Sequence, residues 1–67
     1  MIFRRDDRVR YVPGHAHGDR KHPDCETGTV TRVTAYATFV LFDGLGSPQG
    51  CTPSDLDLIF RPEDDSR

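Results

Sequence analysis

Apolar and polar residues alternate along this chain in short runs, and nowhere recur at helical spacing over more than a turn. In "DRVRYV", residues 7–12, Val9 and Tyr11 share one face and Arg8 and Arg10 the other, which is the period-two pattern of a half-buried strand. Pro13-Gly14 ends it. A second strand is expected in "TGTVTRVTA", residues 27–35, because five of the six residues from Thr29 to Thr34 are Thr or Val, a composition that disfavours helix. Val30 and Val33 lie three apart, so alternation fails between them and a bulge or sharp bend is expected there. Gly28, just ahead, marks a bulge or a close backbone approach. Ala35-Tyr36-Ala37 links this run to "TFVLFD", residues 38–43, the most apolar stretch of the chain, and the pair reads as a hairpin.

Two segments break the pattern. Residues 13–28 hold two prolines, three glycines, all three histidines and five charged side chains without periodicity, so they form a long first loop. Loops longer than about 12 residues are uncommon in compact domains and tend to carry function. "GLGSPQG", residues 44–50, is turn chemistry throughout. Beyond it, Ser54 after Pro53 suits a helix start, so Pro53–Leu56 reads as one helical turn before a last short strand, Leu58–Phe60. The fold class is therefore all-β, with four to five strands. Val9, Tyr11, Val30, Val33, Val40, Phe42, Leu56 and Ile59 are expected to form its core. If Val40 and Phe42 point inward, Phe39 and Leu41 point out, where they are either covered by the loop or the chain ends or form an apolar contact face.

Composition narrows the picture. At 67 residues the chain is one domain, read as residues 1–60 with a frayed acidic tail over 61–67, and a chain this short buries only roughly 60% of its unfolded surface. With 34% hydrophobic and 30% charged residues, a deep catalytic pocket is not expected. No apolar run has the length of a leader or a membrane span, which points to a cytoplasmic protein with no membrane contact and with Cys25 and Cys51 as reduced thiols. Net charge is −2, unlike a protein whose main work is neutralising phosphates. The charge is uneven, however: residues 1–34 hold seven Lys or Arg against five acids, and residues 35–67 hold two against six.

"DRVRYV", then Gly28-Thr29-Val30 with Val33 three residues on, then "FVLFDG" and "PSDLDLI" together resemble the layout of small SH3-like barrels of the KOW, Tudor and CAP-Gly groups. The resemblance covers Phe3 to Phe60. Asp6 stands where many such barrels have glycine before the first strand. "DRVRYVP", "HAHGD" and "DCE" are also similar to segments of small bacterial and phage proteins for which no activity is established. What these resemblances imply is an SH3-like barrel with a long first loop, in a phage or prophage setting.

Candidate chemistry is then weighed residue by residue. Catalysis has only Cys25 as nucleophile with His22 or His17 as base, and no orienting group or oxyanion arrangement accompanies them, so no enzyme is expected. In "HAHGDRKHPDC", His15, His17, His22 and Cys25 are spaced so that one loop can fold around one zinc ion, with Asp24 as a substitute ligand. No paired cysteine knuckle anchors such a site, and the expectation is a loop held by its own hydrogen bonds, with no cofactor. Arg8, Arg10 and Arg32 fall on outward strand positions and form the alternative, a nucleic-acid surface of the KOW kind. The leading expectation is a non-enzymatic binding module, a monomer or weak homodimer, that meets a protein partner through the 13–28 loop, with Arg20 and Lys21 at its tip, and through Tyr36, Phe39 and Leu41.

Overall fold

A computed structural model describes residues 2–62. Five strands, β1 Arg8–Tyr11, β2 Glu26–Val33, β3 Thr38–Phe42, β4 Gln49–Cys51 and β5 Leu56–Phe60, form one antiparallel sheet in the order β4-β3-β2-β1-β5. The only helical pieces among the described residues are single turns, Gly14–Ala16 and Pro53–Asp55. The second of these sits where Pro53 and Ser54 predicted a turn, and it feeds Leu56 directly into β5, two residues earlier than the sequence suggested. β4 begins within the stretch read as turn chemistry and pairs with β3 through Thr38↔Cys51 and Val40↔Gln49.

One face of the sheet carries the core. Val9, Val30 and Val40 are fully buried, and Phe3, Phe42 and Leu56 nearly so, with Tyr11, Cys51 and Leu58 packed against them. Two expected core residues are not there. Val33 is 42% exposed because β2 pairs with β1 only as far as Thr29, leaving its far end uncovered on that side. Ile59 is 45% exposed because β5 slips against β1: Leu58 pairs with Val9 and Phe60 with Arg8, so Ile59 is the extra residue of a bulge. Leu58 takes the inward place instead. The bulge expected after Val30 is present, at Thr31, and keeps Arg32 opposite Phe39.

Gly28 sits opposite Phe42, and β3 crosses it so closely that a methyl there would lie 2.6 Å from the Leu41 carbonyl oxygen and 2.7 Å from Val40 Cγ1. The β2–β3 turn is closed by Thr34, whose N–H donates to the Ala37 carbonyl and whose hydroxyl accepts from the N–H groups of Tyr36 and Ala37.

The N-terminal segment docks through a residue the sequence did not flag. Asp7 is fully buried, and its carboxylate accepts from the Arg4 N–H at 2.8 Å and from two nitrogens of Arg61 at 2.9 and 3.0 Å. Burial alone would raise its pKa, but the hydrogen bonds from Arg61 and Arg4 outweigh that and hold it below the ordinary carboxylate value. Arg61, read as the start of the tail, is thus fastened to the sheet and also donates to the Ile2 carbonyl at 3.0 Å. The remainder of the expected acidic tail, residues 63–67, lies outside the described residues. Asp6 adopts φ 76°, the left-handed region that explains why glycine suits this place, and Asp tolerates it.

Candidate functional site

At one end of the sheet, residues of β1, β2, β3 and β4 and of the turns flanking β4 line a groove of about 440 Å³. Tyr11 at the end of β1 and Phe42 at the end of β3 form its apolar walls, their rings meeting edge to face at 6.2 Å between centroids. Both project inward because they continue the alternation begun by Val9 and Val40. Leu45, half exposed, comes from the turn after β3, and Cys51 from β4. Glu26, paired in register with Tyr11, and Asp55, from the turn before β5, bring two carboxylates to the same groove. Among the described residues neither carboxylate takes part in a salt bridge. Burial pushes the Cys51 thiol above its usual range, and the charges of Asp55 and Glu26 push it further. This thiol is therefore protonated near neutral pH and a poor nucleophile.

A second cleft of about 450 Å³ shares Tyr11 and Glu26 with the first and continues along Pro13, Gly14, His15, Pro23 and Asp24 of the first loop. The loop cleft and the groove thus adjoin at Tyr11 and Glu26. The loop is fixed to the sheet by buried Pro13 and Ala16 and by Arg20, whose Nε donates to Asp57 at 2.6 Å. The candidate ligand set of the loop comes together only in part. His15, His22 and Asp24 converge, whereas His17 and Cys25 are not in the group, and the Cys25 thiol donates to the Asp19 carbonyl at 3.3 Å. Cys25 and Cys51 are both free thiols.

The outer face of the sheet differs from its reading as an apolar or basic surface. Phe39 and Leu41 do point outward, but both are half-buried. The Phe39 ring lies against Gly50 of β4, and the Arg32 guanidinium sits over it at 5.8 Å. Tyr36 at the hairpin tip is 93% exposed. Arg8 grips Asp43 with both terminal nitrogens at 2.9 Å, and Thr27 adds a hydrogen bond, so the Asp43 carboxyl is lowered to about 2. Arg8 and Arg20 are thus engaged with carboxylates, which leaves Arg10 and Arg32 as the outer-face arginines outside ion pairs among the described residues.

Sequence reasoning located Tyr11 and Phe42 as core residues and Glu26 only as a strand-entry residue, and it passed over Leu45 and Asp55. The usable signal was a carboxylate at the entry to each of two strands, Glu26 before Thr27 and Asp55 before Leu56. Among the described residues no helix is long and apolar enough to cross a membrane. No protein-family model, no curated protein and no solved structure matches the chain.

Proposed function

We propose that the sheet is the wall of a small SH3-like barrel and that the protein is a non-enzymatic binding module, whose groove receives an extended protein segment carrying a lysine or arginine. The barrel reading is supported by the strand order, with β1 between β2 and β5, by an eight-residue β2 bent at its bulge, and by the single turn before β5. The observation that carries the binding reading is the groove itself, where Tyr11 and Phe42 stand beside the unpaired carboxylates of Glu26 and Asp55. A basic side chain fits both features: its charge answers the carboxylates, and its stem covers Leu45 and the aromatic walls. A phage or prophage accessory protein is the setting that the sequence resemblance attaches to this reading, and a cytoplasmic, monomeric or weakly dimeric protein is the form we propose for it.

The test is a nuclear magnetic resonance titration of the full chain with an extended peptide bearing one lysine among small apolar residues, and with its twin bearing norleucine. The lysine peptide is expected to shift Tyr11, Glu26, Phe42, Leu45 and Cys51, and the twin to bind at least about tenfold more weakly, a difference of about 1.4 kcal/mol. The double change Glu26→Gln and Asp55→Asn should weaken the lysine peptide similarly. Equal binding of the twins, or shifts confined to Tyr36, Phe39 and Leu41, would reject the groove. Arg10 and Arg32 favour a second reading, contact with a phosphate backbone. Retention on oligonucleotides that falls steeply with salt and is lost on removing both arginines would select it.

A further inference from the structure

The loop between β1 and β2 is ordered by its own hydrogen bonds. After the turn Gly14–Ala16, backbone N–H groups of Asp19, His22 and Cys25 donate in succession to the carbonyls of Ala16, Asp19 and His22 at 2.9, 3.1 and 3.0 Å. His17 and Gly18, at φ 51° and 82°, are the central residues of the turn that the first of these bonds closes. The Lys21 N–H donates to the Asp19 carboxylate at 2.9 Å, which tightens the tip. The consequence is a framework in which residues far apart along the loop face one another. The His15 and His22 rings meet edge to face at 5.2 Å between centroids, and His15 Nε2 lies 2.6 Å from Asp24 Oδ2.

We propose that His15, His22 and Asp24 bind a divalent transition-metal ion, with zinc as the natural probe, through one ring nitrogen of each histidine and one carboxylate oxygen. These three donor atoms lie within 4.8 Å of one another. Donors bound to one zinc at about 2.0–2.2 Å sit roughly 3.4 Å apart in a tetrahedral site, so side-chain rotations of an ångström or so close the set. Imidazole with carboxylate is a donor set that zinc accepts, and three protein ligands leave a position for water. The ion replaces the hydrogen bond between His15 Nε2 and Asp24, the His15 proton moving to Nδ1 of that ring. It also replaces the bond that His22 Nδ1 accepts from the Asp24 N–H at 3.0 Å, since Nδ1 must give up that bond whichever ring nitrogen of His22 ligates. All three residues are half or fully exposed, which gives the ion a path from solvent. This site stands independently of the lysine groove. It also differs from the ligand set the sequence suggested, because His17 and Cys25 are left out.

Zinc competition against a chromophoric chelator, on the full chain and at neutral pH, tests the proposal. One equivalent of zinc is expected to bind, with His15→Ala, His22→Ala and Asp24→Asn each weakening it at least about tenfold, and His17→Ala and Cys25→Ser changing it less than about threefold. Asp24→Asn keeps the side chain's shape, and unchanged melting of each metal-free variant shows that the loop and sheet remain folded. Failure of the wild-type chain to take up stoichiometric zinc overturns the proposal. So does zinc binding that survives Asp24→Asn, or that is lost equally in His17→Ala or Cys25→Ser.

Discussion

Replacing Gly28 with alanine puts a methyl group into space that β3 already occupies. It would stand 2.6 Å from the Leu41 carbonyl oxygen, 2.7 Å from Val40 Cγ1 and 2.8 Å from Phe42 Cα, each short of an ordinary contact by roughly 1 Å. Two of these three atoms are backbone, so no side-chain rotation relieves them and β2 must part from β3 where Gly28 pairs with Phe42. Overpacking of this kind costs about 1–3 kcal/mol, and an alanine recovers about 0.4–1 kcal/mol by restricting the unfolded chain. The net loss is about 1.3 kcal/mol, against a total of roughly 3–10 kcal/mol for a domain of this size. Melting should therefore fall by roughly 5–10 °C while the variant still folds. Thermal melts followed by circular dichroism measure this, with Gly14→Ala as the control because nothing lies within 4 Å of its added methyl. A Gly28→Ala melt within about 3 °C of wild type would refute the argument from close approach.

Two further outcomes rest on the carboxylates. In the wild type the lowered Asp7 carboxyl stabilises the fold above the unfolded value of 3.8, and that support is lost as pH falls through the folded value. Arg61→Met removes the two side-chain hydrogen bonds and the charge beside Asp7, leaving only the Arg4 N–H against burial, so the variant melts well below wild type at pH 7 and the gap narrows towards pH 4; a gap that stays constant would contradict the pairing. Asp43 should titrate near 2 by carbon-detected magnetic resonance, and Arg8→Met should move it back towards 3.8, a return that would fail if Thr27 alone held it down.

Much of the sheet was legible because its signals are local. The alternation of Val9 with Tyr11, the break between Val30 and Val33, the glycine at 28 and the Pro53 turn each lie within a few residues of the feature they mark. What stayed hidden depends on pairing across the chain. β4 was invisible in a stretch of glycine and proline because β3 supplies its hydrogen bonds, and Ile59 turned outward because of a slip in register against β1. The Asp7–Arg61 pair joins residues 54 positions apart, so neither side chain carries a local sign of burial. The groove is hidden for the same reason. Its walls come from the ends of β1 and β3 and its charges from the starts of β2 and β5, and only the antiparallel pairing brings those strand ends together.

The clasp of Arg61 on Asp7 and on the Ile2 carbonyl also sets where this chain can be cut and rejoined. It brings the two ends of the described chain side by side, while the Thr34–Ala37 tip, with Tyr36 almost wholly in solvent, sits in the hairpin between β2 and β3. A short linker from residue 62 to residue 2 therefore bridges a gap that the native contacts already hold closed, and new termini at Tyr36 interrupt only a turn. In such a circular permutant β3 becomes the first strand and β2 the last, yet every neighbour in the sheet is kept. Chain order and sheet order are separable over residues 2–62 because one side chain, Arg61, ties the segment after β5 to the segment before β1.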